Sequence, residues 1–442
     1  MQVMKWSLIA LAVAGSTQLA VASEQSDSKG FVEDSSLSVL ARNLYFSRDF
    51  RNVPNGEQSR AEEWGQGFIG TFESGFTQGT VGFGVDAIGL AGIKLDSGKG
   101  RHGTGLFPTG SDSRSEDAYG ESTGSVKLRI SNTTLKYGGQ FTTMPVFATD
   151  DSRLLPETAE GFLVTSKEIE GLELNAGHFT ALNAQSQTYH DSINGRNGDE
   201  TSPDFGKKNP GLTEANVIGG TYAFSDSLST TLYYSKVEDY FKKVYANVNW
   251  TLPIADGQAF GLDVNVYKVD STGKGYADAS SSVDGGDIDN LTYSFAASYS
   301  IDAHKFTFSF QDVTGDGDYA YGVDGGGTVY LNNSIARSDF NTEDEKSYGA
   351  RYDLDFTSFG VPGLTFMTRY VYGTGANVES TSNGKEWERD IEAKYVFQDG
   401  AAKDLSLRVR QATYRSSDEV YLRGSPSIDE LRLIVEYPLS IL

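Results

Sequence analysis

Cysteine is absent from the 442 residues. The chain therefore has no disulfide framework and no thiolate metal site. Long apolar runs are also missing. No stretch reaches the roughly 18–20 apolar residues that a membrane-spanning helix needs. Hydrophobic residues make up only 38% of a chain long enough for several ordinary domains, a poor basis for two or three oily cores. Positive charge is in deficit, with 37 Lys and Arg against 60 Asp and Glu, a net charge of -23. Nucleic-acid affinity comes mainly from neutralising phosphates, so an acidic chain is a poor candidate for it. Histidine is scarce. His102, His178, His190 and His304 are scattered, with no H-E-x-x-H spacing. No G-x-S-x-G elbow appears. The groups Asp316 and Asp318, and Asp284, Asp287 and Asp289, do not match the EF-hand spacing and read as solvated acidic loops. No metal and no cofactor is expected.

Glycine and aromatics are plentiful: 50 Gly, 24 Tyr and 25 Phe. That balance favours β structure. The N-terminus reads as an export address. Lys5 gives a positive start, Leu8 to Gly15 is a short apolar run, and Ala20-Val21-Ala22 is a cleavage signal. Residues 1–22 are thus expected to be a signal peptide, too short for an anchor. Residues 23–442 then form one domain.

That domain is a succession of eighteen alternating segments. They fall at about 36–48, 65–77, 80–95, 121–131, 134–141, 160–167, 172–181, 215–224, 228–237, 241–252, 258–269, 290–301, 304–312, 346–357, 363–373, 385–398, 403–415 and 427–439. Minimal connections such as Ser131-Asn132-Thr133, Ser225-Asp226-Ser227 and Asp302-Ala303 mostly alternate with long polar ones. The long ones are 96–120, 142–159, 182–214, 270–289, 313–345 and 374–384, and 238–240 is an exception. Short turns at one end and long loops at the other describe an outer-membrane barrel, with both termini on the short-turn side. A soluble β-solenoid should show a repeat, and none is present. Tyr45, Tyr137, Tyr233, Tyr299, Tyr352, Tyr370, Tyr395 and Tyr437 are expected to flank the oily face, as rings at the two lipid–water interfaces do.

Parity assigns the faces. In Asp404-Leu405-Ser406-Leu407-Arg408-Val409-Arg410-Gln411, Leu405, Leu407 and Val409 alternate with Ser406, Arg408 and Arg410. An arginine facing lipid at mid-bilayer costs about 2–4 kcal/mol, so the arginines must face a watery lumen. The same test turns Arg42, Lys127, Arg129, Arg351, Arg369, Lys394 and Arg432 inward. Because a barrel closes on itself, Arg351, Arg369, Lys394, Arg408, Arg410, Arg432 and Arg42 fall on one arc of wall. Guanidiniums in a row can pass an anion from site to site, and their forks match carboxylates. The bland alternative is that they pair with inward acids such as Asp353, Asp355, Asp390, Glu392 and Glu436, and merely fill the interior. The connection TTMPVFATDDSRLLPETAE, 142–160, is too apolar for a free surface loop, with Pro145, Leu154, Leu155 and Pro156. With Arg153, it is expected to fold inward and narrow the pore.

Several stretches carry a family resemblance: GFVEDSSLSVLARNLYFSRDF, FESGFTQGTVGFGVDA, PVFATDDSRLLPETAEGF, EGLELNAGHF, EKSYGARYDLDFTSFGVPGLTFMTRY, AKDLSLRVRQA and LRLIVEYPLSIL. Over its whole length the chain resembles the OprD-type substrate-specific porins, the outer-membrane carboxylate channels of pseudomonads. The resemblance implies an eighteen-stranded monomeric barrel with inward loops, though a trimer stays open. It implies a basic ladder on Arg42, Arg129, Arg369, Lys394, Arg408, Arg410 and Arg432, and an opposing acidic site for which Asp339 is the candidate. It implies passive diffusion of small carboxylate solutes across the Gram-negative outer membrane, with lipid as the only other partner. A general, weakly selective porin and a barrel-borne hydrolase or adhesion protein are the alternatives.

Overall fold

The computed structural model describes residues 23–54, 56–188, 191–192, 214–238, 241–272, 288–319, 328–378, 381–422 and 426–442. Residues 1–22, expected to be a signal peptide, and His190, Asp284 and Asp287 lie outside these residues. Among the described residues, eighteen strands build the wall. They are β1 (Ser36–Phe50), β2 (Arg60–Glu73), β3 (Val81–Asp96), β4 (Ala118–Ile130), β5 (Thr133–Gln140), β6 (Thr158–Ile169), β7 (Leu172–Asn183), β8 (Ala215–Ser225) and β9 (Leu228–Val237). The second half is β10 (Phe241–Ala255), β11 (Gln258–Ser271), β12 (Asp289–Ile301), β13 (His304–Asp316), β14 (Lys346–Asp355), β15 (Leu364–Val378), β16 (Thr381–Val396), β17 (Ser406–Ser416) and β18 (Ile428–Ser440). Each pairs antiparallel with its sequence neighbours, and β1 pairs with β18 to close the barrel. A two-residue extension, Asp191–Ser192, continues the sheet beside the end of β7.

The alternation fixes this arrangement. Leu407 and Val409 on β17, and Val126, Leu128 and Ile130 on β4, stand exposed on the outer surface. Their neighbours Ser406 and Lys127 are buried inside. The tight turns have the left-handed backbone that two-residue hairpins need, supplied by Gly171 (φ 75°) and Gly257 (φ 70°). The N-terminal segment from Ser23 lies at this same end, where the Gln25 backbone N–H donates to the Ser131 carbonyl.

Three expectations are corrected. The 374–384 stretch is not a long loop: β15 and β16 run through it to Val378 and from Thr381, with register shifts near Ala376. Its polar residues extend the strands past the lipid, where a hydrophobic face is no longer required. Tyr233 faces inward, not to lipid; it is buried, and the Asn175 amide donates to its hydroxyl at 2.9 Å. Leu232 and Tyr234 take the outer face instead. Three ring or aliphatic residues in a row leave parity ambiguous there. The lumen, finally, is not watery all round. Leu44 and Phe46 of β1, Ile69 of β2, and Ile88 and Leu90 of β3 point inward and are dry, covered by Leu106, Phe107, Leu154 and Leu155.

Two loops achieve that cover. The 97–117 loop is pinned by Glu63, whose buried carboxylate accepts from the Thr104 N–H at 3.0 Å and from the Thr104 and Ser115 hydroxyls. The 141–157 loop folds inward as expected, with Leu154, Leu155 and Pro156 buried and Pro145 half-buried. It lies so close to β2 that a Cβ on Gly67 would meet the Leu154 carbonyl at 2.8 Å. Its tip is a hairpin, Thr143–Met144 with Phe147–Ala148, and crosses to the far wall. There Met144, Val146 and Phe147 pack with Phe179, Val217, Tyr233, Tyr245 and Tyr267. The 317–345 loop joins them through Tyr319 and Leu331.

Gly67→Val should therefore destabilise the barrel by about 1–3 kcal/mol, the usual cost of overpacking. Gly70→Val is the control, since its Cβ would find nothing nearer than the Gly89 carbonyl at 3.5 Å. Urea unfolding in detergent measures both, and equal midpoints would mean that the loop is not seated on β2.

Candidate functional site: a basic wall and two inward loops

Strand register sets the basic wall. Arg351 stands opposite Arg369, Lys394 opposite Arg408, and Arg410 opposite Arg432. Directly opposed residues have Cα atoms about 4.5–5.5 Å apart, and like charges so placed repel. Acids from the same faces offset this. Arg351 pairs with Asp353 at 2.6 Å, Arg369 with Asp390 at 2.7 Å, and Arg410 with Glu392 at 2.6 Å. Asp355 does not join them; its carboxylate accepts from the Thr357 N–H.

One pair is left without a close acid. Arg408 Nε is 3.9 Å from Glu392, beyond hydrogen-bond reach, and that nitrogen is buried without a partner. Lys394, half-buried opposite it, makes no ion pair among the described residues.

Arg42 and Arg432 do something different: they hold the loops. The Arg42 side chain is 6% exposed and ion-pairs with Glu436 at 2.8 Å. It also reaches the 141–157 loop, pairing with Asp151 at 2.7 Å and donating to the Arg153 carbonyl at 2.9 Å. Arg432, 4% exposed, pairs with Glu430 at 2.6 Å. It donates to the Ser152 carbonyl at 3.5 Å and to the Ala336 carbonyl at 3.2 Å. Arg432 thus touches both inward loops from the wall.

The 317–345 loop docks against the same wall. The Arg337 and Ser338 N–H groups donate to Glu388 at 3.0 and 2.8 Å, and the Ser338 hydroxyl donates to Glu386 at 2.5 Å. Gln311 on β13 donates to the Asp339 and Phe340 carbonyls at 2.8 and 2.9 Å. Asp339 accordingly sits on this loop between β13 and β16, with the Ser334 hydroxyl donating to its carboxylate. Glu345, at the loop's end, is buried; burial and the facing Glu386 push its carboxyl up. Arg153 lies deep beside Arg432 and Arg48. Burial and those two cations pull it down to about 9, which leaves it charged at neutral pH.

Arg129 stands apart at the short-turn end of β4. It donates to Gln25 at 3.0 Å and lies over the Phe76 ring at 4.1 Å, tying down the N-terminal segment. Below the loops the lumen widens into a cavity of about 1160 Å³, lined by Asp263, Lys305, Arg351, Asp353, Arg369 and Asn332. Sequence reasoning missed Arg48, Arg337, Tyr319 and Leu331. Arg48 falls at the end of a strand segment. The other three sit in a loop whose packing partners are far away in the chain.

A closed barrel with an oily belt, two loops folded into the lumen and charged residues along the remaining passage is a channel. Comparison with known proteins gives the family. The outer membrane porin, OprD family, matches residues 29–441, and the chain belongs to it. It is 46% identical to Porin D of Pseudomonas aeruginosa over the full length of both. It is 34% identical to the porin-like protein GalP of Pseudomonas putida, covering 95% of each chain. Among solved structures it resembles OprD of Pseudomonas aeruginosa, with TM-score 0.76 and 42% identity over 95% of this chain and 99% of that one. Acinetobacter baumannii OccAB1 gives TM-score 0.87 at 32% identity, over 95% and 100%. Pseudomonas aeruginosa OpdK, solved with vanillate, gives TM-score 0.80 at 34% identity, over 93% and 100%. The protein is a substrate-specific diffusion channel of the Gram-negative outer membrane.

Arg42→Met removes the wall's ion pair to the 141–157 loop and leaves Arg432 as its remaining polar contact from the closing strands. The stranded acids, Glu436 and Asp151, both reach water. The stability loss should thus stay below the ~3–5 kcal/mol of a fully buried broken pair. Single-channel conductance should rise and its noise increase; an unchanged trace would show that Arg42 does not fix the loop.

Proposed function

We propose that the channel passes small solutes bearing a carboxylate, drawn along Arg410, Arg408, Lys394, Arg369 and Arg351. The observation that carries this reading is the Lys394–Arg408 pair. Two cations face one lumen point across a strand pair, with no hydrogen-bonded acid between them. A carboxylate supplies what that pair lacks. Interior filling explains Arg369 and Arg410, which have close acids, but not this pair. Vanillate, held by a relative's structure, is itself a carboxylate.

Passage along such a wall needs no energy source. Each site must bind well enough to attract the anion and weakly enough to release it. Acids next to Arg369, Arg410 and Arg351 keep those sites weak, because the solute must compete with a resident carboxylate. The covered half of the lumen, packed with Tyr245, Tyr267 and Phe147, narrows the route to the charged side. One chain closes its own pore through β1 and β18, so each copy is a complete channel. Residues 1–22 fit an export signal, since the barrel must reach the periplasm before it inserts.

Liposome swelling tests the reading. Purified protein should admit arginine, benzoate and pyroglutamate much faster than neutral sugars of similar size. Replacing Arg408 and Arg410 by Ala removes charge-assisted contacts worth ~1.5–3 kcal/mol each. Carboxylate flux should fall about tenfold or more, with sugar flux unchanged. Equal entry of all solutes of one size would make this a general porin.

A further inference from the structure

Four guanidiniums converge where the two inward loops meet the wall. Phe46 on β1 is fully buried, and its ring has Arg432 at 4.3 Å, Arg48 at 4.7 Å and Arg153 at 5.6 Å. These three arginines come from β18, β1 and the 141–157 loop. The fourth, Arg337, is on the 317–345 loop. Its preceding residue, Ala336, accepts a hydrogen bond from Arg432 at 3.2 Å, and its own guanidinium lies 5.5 Å over the Tyr414 ring. Arg337 lies near enough to Arg48 to repel it, as Arg48 and Arg432 do to Arg153.

Among the described residues, one side-chain carboxylate ion-pairs with these four guanidiniums. Glu430 takes Arg432 at 2.6 Å and Arg48 at 3.0 Å. Arg153 and Arg337 make no ion pair among the described residues. Arg153 donates to the Thr104 carbonyl at 3.2 Å and to the Ser152 carbonyl and hydroxyl at 3.4 and 2.8 Å. Asp150, an acid of the same loop whose charge favours Arg153, accepts from the Ser152 N–H and hydroxyl. Glu388, beside Arg337, is spent on backbone N–H groups. The Arg337 guanidinium makes no hydrogen bond among the described residues, and its Nε is buried without a partner. Unmatched buried donors and gathered like charges cost free energy, and such a group in a native structure calls for an explanation. A guanidinium held by its face against a ring keeps its N–H edge free for a planar acid.

We infer that this node is a binding stop for a solute carrying two carboxylates, one received by Arg153 and one by Arg337. Arg432 and Arg48 are already matched by Glu430, and Arg432 holds the two loops in place around it. Arg153 keeps one terminal nitrogen and Arg337 its whole fork, and a monocarboxylate satisfies only one of the two. The inference rests on the carboxylate reading above and sharpens it to dicarboxylates.

The test is ion-current interruption in planar lipid bilayers, using the purified full chain with succinate, propionate and glucose as probes. Succinate should interrupt the current at a concentration at least tenfold below that of propionate, and glucose should do nothing. Arg153→Gln and Arg337→Gln should each bring succinate up to the propionate value. Arg337→Lys keeps the charge without the fork; it should remove most of the succinate advantage over propionate, with glucose still silent. Equal potency of the two acids, with glucose still silent, overturns the dicarboxylate stop and leaves the carboxylate channel standing. No response to either acid removes both readings. A succinate advantage that survives both Gln variants, or survives Arg337→Lys in full, also overturns the assignment to this node.

Discussion

Every backbone hydrogen bond inside a membrane has to be made within the protein, and the pairing of β1 with β18 is what allows it here. Everything else in the lumen follows from that closure. It sets Arg42 beside Glu436 and Arg48 beside Glu430, partners separated by nearly the whole chain. The basic arc is continuous only because the first strand returns to the last. An open sheet of the same sequence would leave Arg42 and Arg432 on opposite edges, and the 141–157 loop could not be held by both at once.

The interior then divides into a dry half and a charged half. On the dry half, small residues and rings do complementary work. Gly65 and Gly67 leave room for Phe107 and Leu154 against β2, while Tyr245, Tyr267 and Phe147 fill the opposite side. The hydroxyl of Tyr267 donates to the Pro145 carbonyl at 3.1 Å and accepts from the Tyr330 N–H at 3.2 Å, joining the two loops over that wall. A loop held at both ends, by Arg42 on one side and by aromatics on the other, is a fixed part of the pore. Size selection needs that fixity, because a loose loop would admit solutes by swinging aside.

The strands were legible because lipid enforces a period of two on one face, and that face can be read residue by residue. Leu407, Val409, Val126 and Leu128 all stand where parity puts them. Parity says which way a residue points but not what it meets. Leu44 and Phe46 share the inward parity of Arg42, and nothing in the strand itself shows that a loop covers them. Tyr233 was misplaced because Leu232 and Tyr234 on either side erase the alternation. The inward course of the 141–157 loop was readable from its Pro and Leu content. The docking of the 317–345 loop was not: its anchors are backbone groups of Arg337, Ser338 and Asp339, which bond equally well whatever side chains they carry.

The spacing of acids along the arc then decides how the wall works. Had every inward cation a close carboxylate, the wall would be neutral and the lumen a passive sieve. Had none, the repulsion between Arg351 and Arg369, or Arg410 and Arg432, would stand unrelieved, and any anion would bind too tightly to leave. The structure lies between these limits. Glu392 hydrogen-bonds Arg410 and stops short of Arg408; Asp390 serves Arg369, and among the described residues no acid pairs with Lys394. The incompletely matched cations Lys394 and Arg408 thus lie between paired ones, and on the proposed route an anion leaving a paired site would meet them next. Graded occupancy of this kind lets a row of positive charges conduct instead of trap.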